Sequence, residues 1–135
     1  MESILFVDDD SMATRMWRLA LERAGYEVVL KTSVDEAADI FDGKRAFGVL
    51  IVDIMMPPGH FTADGRNEKG LTTGLEFIRF LREKKGIRTP MIVLTNTEDE
   101  EVLQRAESYP GVIVRDKLSE LPSLLVETVR SLLTA

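Results

Sequence analysis

Four short apolar runs of this chain lead straight into residues able to do chemistry. Ile4-Leu5-Phe6-Val7 runs into Asp8-Asp9-Asp10, and Val49-Leu50-Ile51-Val52 runs into Asp53. Met91-Ile92-Val93-Leu94 ends in Thr95, and Val112-Ile113-Val114 is followed by Arg115, Asp116 and Lys117. Taken singly, each has a bland reading. An Asp at the end of a strand commonly caps a turn or helix, a Thr packs, and a Lys is solvated. Taken together they are three carboxylate positions, a hydroxyl and an ammonium. Clustered carboxylates repel and are costly to keep for stability alone. A hard divalent cation is their natural neutraliser, and Mg²⁺ takes oxygen ligands, few carboxylates and several waters, often completed by phosphate. A cation, a hydroxyl and an ammonium can together offset the charge on the oxygens of a transferring phosphoryl group.

That chemistry requires the four runs to end along one edge. With Val28-Val29-Leu30 they make five short runs rich in β-branched residues. Their apolarity is continuous rather than alternating, which predicts strands covered on both faces in a parallel sheet. Helical patterns fall between them. Ala13, Met16, Trp17, Ala20 and Ala24 predict a first helix, with Ser11 as its cap and Gly25 at its end. Ser33-Val34-Asp35-Glu36 reads as a capping box opening a second helix that stops near Gly43. A third is expected over about 74–85, and a fourth over about 98–108 with an acidic first turn that suits the helix dipole. The fifth carries an apolar stripe of Leu121, Leu124, Leu125, Thr128, Val129 and Leu132. Five alternating βα units predict an α/β fold, a doubly wound parallel sheet with helices on both faces. Such sheets bind ligands at the carboxyl ends of the strands, where the strand order reverses.

The length and composition narrow the function. The 135 residues suit one domain, 1–135. The net charge of −6 argues against direct nucleic-acid binding. The absence of cysteine excludes disulfides, thiolate zinc sites and a cysteine nucleophile. The single histidine, His60, excludes a His-rich metal cage and reads as a loop residue. No apolar run approaches the ~20 residues of a membrane-spanning helix, and Met1-Glu2-Ser3 lacks the basic start of a signal peptide. A cytoplasmic protein without membrane insertion is expected. The segment 58–73 is longer than a usual βα connection and carries Gly59, Gly65 and Gly70. It is expected to be either a plain insertion or a lid or docking loop beside Asp53, with Phe61, Arg66 and Lys69 as its contact residues.

In this order and spacing, Asp8-Asp9, Asp53 in Leu50-Ile51-Val52-Asp53-Ile54-Met55-Met56-Pro57, Thr95 and Lys117 resemble the receiver domain of two-component response regulators. The resemblance implies a flavodoxin-like fold with strand order 2-1-3-4-5 and five helices. It implies that Asp53 is the phosphoacceptor, and that Asp9, Asp53 and the main-chain carbonyl of Met55 ligate Mg²⁺, with Asp8 acting through water. It implies that Thr95 moves to the phosphoryl oxygen and that Lys117 pairs with Asp53 and then with phosphate. The implied partners are a histidine kinase or histidine phosphotransfer protein and an unnamed downstream protein, reached through the face of helix four, strand five and helix five.

The chain departs from that family pattern in three places. Leu118 stands where a proline, often cis, usually follows the lysine, so a trans Lys117–Leu118 bond is expected. Val114 stands in the slot of the family's aromatic switch residue. The stretch between Asp53 and Gly74 is about a dozen residues longer than usual for the family. Two other readings stay open. One is a receiver-like scaffold that works by partner binding without phosphorylation. The other is a small phosphohydrolase of the haloacid dehalogenase kind, using Asp8 and Asp10.

Overall fold

The computed structural model describes residues 2–43, 45–60 and 70–134. Its strands are β1 (Ser3–Val7), β2 (Glu27–Lys31), β3 (Val49–Val52), β4 (Met91–Thr95) and β5 (Val112–Asp116). They form one parallel sheet in the order β2-β1-β3-β4-β5. The helices are α1 (Arg15–Arg23), α2 (Val34–Ile40), α3 (Thr73–Arg79), α4 (Glu100–Glu107) and α5 (Pro122–Thr134). The expected doubly wound fold is present.

Alternation along the strands feeds two cores. Leu5, Val7, Leu50, Val52, Met91 and Val93 face α2, α3 and α4. Ile4, Phe6, Val49, Ile51, Ile92 and Leu94 face α1 and α5, where Trp17, Leu21, Leu125 and Val129 meet them. The central strands are therefore covered on both sides, as their unbroken apolarity predicts. The edge strands β2 and β5 are only half-buried. Each fully buried Leu, Ile or Phe contributes roughly 1.5–3 kcal/mol.

Local chemistry sets the helix ends, with corrections. Ser11 does not cap α1: Asp10 does the tethering, with its Oδ1 accepting the Ala13 N–H at 2.9 Å, and the helix starts four residues after Ser11. Gly25, at φ 100°, ends α1 as expected, because only glycine takes that conformation without strain. The Ser33 hydroxyl caps α2 by accepting the Glu36 N–H at 3.2 Å, and α2 ends at Ile40. The Asp99 carboxylate caps α4 through the N–H groups of Glu101 and Val102. The third helix reaches Lys84 only by continuing α3 as a π-helical turn over Phe80–Lys84. That turn carries Arg82, a buried cation whose described partners are the carbonyls of Ile87, Thr89 and Pro110.

Two helix faces differ from their expected stripes. In α1 the buried side is Thr14–Trp17–Leu21, while Met16 is exposed. In α5 only Leu125 and Val129 are fully buried; Leu124 faces outward, and Leu121 lies exposed just before the helix. His60 is an exposed loop residue, as expected, with contacts to α2. Its backbone N–H donates to Asp35 Oδ1 at 2.8 Å and its ring Nδ1 lies 2.6 Å from Asp35 Oδ2, tying the start of the long connection to α2. Phe61, Arg66 and Lys69 lie outside the described residues.

Candidate functional site

The sheet register explains why the carboxylates meet. Val7 pairs with Val52 across β1 and β3, so Asp8 and Asp53 leave neighbouring strands abreast. Parallel neighbours lie about 4.8 Å apart. The Asp53 N–H donates to the Val7 carbonyl at 3.0 Å, and the Asp8 N–H to the Lys31 carbonyl at 3.1 Å, so both residues are held by the sheet as they leave it. β1 and β3 are the strands between which the order reverses, the position at which such sheets bind ligands.

The turn after β1 separates the roles of the three acids. Asp8 is buried and accepts the Asp10 N–H through Oδ1 at 2.9 Å. Asp9 is exposed, and Asp10 turns away to tether α1. Carboxylate oxygens of Asp8, Asp9 and Asp53 lie within 4.8 Å of one another. Asp53 is 5% exposed and accepts the Ile54 N–H through Oδ1 at 2.7 Å. Behind it, α3 comes very close: a Cβ on Gly74 would strike the Asp53 carbonyl oxygen, and the Gly74 N–H donates to the Ile54 carbonyl at 2.8 Å.

Lys117 arrives from the far side. Thr95 pairs with Asp116, and the Lys117 N–H donates to the Thr95 carbonyl at 3.0 Å. Its ammonium lies 2.7 Å from Asp8 Oδ2 and 3.1 Å from Asp53 Oδ2, with the side chain 9% exposed. The Lys117–Leu118 bond is trans, as expected, and the ammonium reaches the site all the same. Burial alone would lower the lysine's pKa, but the bonds and charges of Asp8 and Asp53 outweigh it and hold it above the ordinary value. Burial raises the pKa of Asp8, assisted by the Asp53 charge and opposed by Lys117 and the Asp10 N–H.

Thr95 is buried at the end of β4, and its hydroxyl oxygen accepts the Thr97 N–H at 3.3 Å. Among the described residues its own hydrogen has no acceptor. Met55 and Asp9 line the same shallow depression, with Met56, Pro57 and Leu71. Val114 is half-buried and packs on the α2–α3–α4 core. The sequence reading missed what secures the lysine's turn. Asp116 Oδ1 accepts the Leu118 N–H at 2.9 Å, and the Trp17 indole N–H donates to the Glu120 carbonyl at 2.9 Å. Glu120 itself is buried; its Oε1 lies 3.7 Å from Arg115, and its Oε2 has no partner among the described residues.

The donor set suits Mg²⁺. It is all oxygen, three carboxylates converge, and Asp9 opens to water that can complete the shell. No helix of the described residues is long and apolar enough to cross a membrane.

Comparison with known proteins agrees with this geometry. The chain is 36% identical over 98 residues to the transcriptional regulatory protein ResD of Bacillus subtilis, covering 72% of this chain and 34% of that protein. It is 30% identical over 95 residues to the transcriptional regulatory protein CpxR of Escherichia coli, covering 70% of this chain and 34% of that protein. It thus spans about a third of the length of these curated relatives. Among solved structures it is similar to the chemotaxis protein CheY4 of Vibrio cholerae, with 27% identity, a TM-score of 0.75 and 98% coverage of both chains. The profile of the response regulator receiver domain matches residues 4–112, stopping short of Lys117. With most of the chain inside that match, it belongs to the response regulator receiver domain family of two-component signalling proteins.

Proposed function

We propose that residues 1–135 form one receiver domain that takes a phosphoryl group on Asp53 from a phosphohistidine donor and thereby changes its partner binding. An Asp53 carboxylate oxygen attacks phosphorus, a P–O bond forms, and the donor's P–N bond breaks with its electron pair left on the imidazole nitrogen. Asp9, Asp53 and the Met55 carbonyl would hold Mg²⁺, with Asp8 reaching it through water; when bound, the ion neutralises charge on the phosphoryl oxygens. Lys117 offsets the charge on Asp53 before transfer and on the phosphoryl group after it. Thr95, whose hydroxyl hydrogen has no acceptor among the described residues, donates to a phosphoryl oxygen. The domain promotes its own phosphorylation and dephosphorylation and acts on no other substrate.

The observation that carries this reading is the Lys117 ammonium placed between Asp8 and Asp53, with exposed Asp9 in the same cluster. A stability role alone would not gather three carboxylates with a cation that pairs with only two of them. The haloacid dehalogenase reading loses support because Asp10, its second acid, is engaged with the Ala13 N–H. A histidine kinase or histidine phosphotransfer protein is the proposed donor, and the family is the basis for assigning the protein to the cytoplasm. The test is labelling with a small phosphodonor and Mg²⁺. The wild-type chain is expected to take label and Asp53→Asn to take none. Full labelling of the Asn variant would reject the assignment, and an unlabelled wild type would favour the phosphorylation-independent scaffold.

A further inference from the structure

Lys117 sits at the start of a turn, and its reach to Asp8 and Asp53 depends on what fixes that turn. Most of the bonds are local. The Ser119 and Glu120 N–H groups donate to the Asp116 carbonyl at 3.1 and 3.0 Å, and the Leu118 N–H to Asp116 Oδ1 at 2.9 Å. They fold the turn on itself without anchoring it to the body of the domain. Its apolar side chains do not anchor it either, since Leu118 is 84% exposed and Leu121 60% exposed. The anchor beyond β4 comes from another helix. The Trp17 indole N–H donates to the Glu120 carbonyl at 2.9 Å in a buried setting, across 103 positions of sequence. Trp17 is packed into the α1–α5 core with Phe6, Leu125 and Val129, so its ring has little room to move.

We infer that Trp17 is a positioning residue for Lys117, acting through the Glu120 carbonyl to hold the ammonium between Asp8 and Asp53. The bond is buried, so losing the donor leaves the carbonyl unsatisfied and favours a shift of the turn toward water. Lys117 opens this turn directly after β5, so a shift of the turn carries Lys117 with it. In catalytic terms the inference rests on the phosphoacceptor reading. Its geometric content does not.

The experiment replaces Trp17 with 3-benzothienylalanine, which keeps the shape of the ring and puts sulfur where the N–H was. Trp17→Phe is the second variant, lacking the donor with a smaller ring. In ¹⁵N-lysine-labelled protein, both variants are expected to shift or broaden the Lys117 ammonium signal and leave the other lysines in place. At saturating small phosphodonor with Mg²⁺, labelling of Asp53 is expected to slow at least threefold. The half-saturating donor concentration is expected to stay within twofold, because the lysine acts on the transferring group and not on donor capture. A purely packing role would leave the ammonium signal of the shape-preserving variant at its wild-type position. That result, or a wild-type labelling rate in that variant, would overturn the inference. If the wild-type chain takes no label, the phosphoacceptor reading fails, and the ammonium signal still decides the positioning role of Trp17.

Discussion

Lys117 shows how much rests on single side chains here. Its ammonium is shared by two buried carboxylates, Asp8 at 2.7 Å and Asp53 at 3.1 Å. Removing one partner of a buried pair leaves an uncompensated charge, which costs about 3–5 kcal/mol. Lys117→Met is therefore expected to lower the unfolding free energy at neutral pH by about 3 kcal/mol, measured by urea denaturation; a loss below about 1 kcal/mol would contradict the pairing. Glu120 titrates in the opposite sense to a paired acid. Burial raises its pKa, and Arg115 offsets only part of that. A raised carboxyl pKa means that the folded state holds the proton more tightly than the unfolded one. The stabilisation from this group is present at low pH and is lost as pH rises from about 4.5 through the folded pKa. Glu120→Gln removes the titration, so the stability of the variant relative to wild type is expected to increase between pH 4 and pH 7. Melting curves across that range check it, and a difference independent of pH would refute it. That Asp8, Asp9 and Asp53 converge, with Lys117 beside two of them, could be anticipated because the acids stand at the ends of apolar runs and Lys117 comes three residues after one. The link from Trp17 to Glu120 could not, since a hydrogen bond spanning 103 positions leaves no local pattern.

At the level of elements, strands were easier to read than helix faces. β1, β3 and β4 are buried on both sides, and their unbroken apolar runs announce it. A helix stripe is harder to phase. Of the expected stripe Ala13, Met16, Trp17, Ala20 and Ala24, only Trp17 is fully buried, and Leu21 and Thr14 complete the true face with it. The expected α5 stripe is wider than the surface that α5 covers, so Leu124 stays exposed, and Leu121 precedes the helix. Gly74 marked the start of the third helix in the sequence, and the structure supplies the reason. α3 begins so close to β3 that a side chain there would strike the Asp53 carbonyl. Overpacking of this kind costs about 1–3 kcal/mol. Gly74→Ala is expected to lose about 2 kcal/mol of stability and, because the strike falls on Asp53 itself, to slow labelling as well. Calorimetry and the labelling rate check both, and a variant of wild-type stability would show that α3 can retreat freely.

For the whole molecule, the topology accounts for the site. The strand order reverses between β1 and β3, and the two buried acids stand on either side of that reversal. Short right-handed βα units leave few alternatives once five strands and five helices are recognised. That is why the fold was readable from pattern alone. The acids come together only in the folded state, so a metal held by them would bind that state alone. A ligand that binds the native state stabilises it by mass action, so Mg²⁺ is expected to raise the melting temperature of the wild-type chain and to do so little in Asp9→Ala. Equal Mg²⁺ protection in the variant would remove Asp9 from the metal site. The central claim is that Asp53 carries the phosphoryl group, and the most direct measurement is to locate that group chemically. After treatment with Mg²⁺ and a small phosphodonor, borohydride reduction converts an aspartyl phosphate to homoserine, which peptide mass spectrometry assigns to a position. Homoserine is expected at position 53; homoserine at position 8, or at no position in a chain that binds Mg²⁺, would refute Asp53 as the phosphoacceptor.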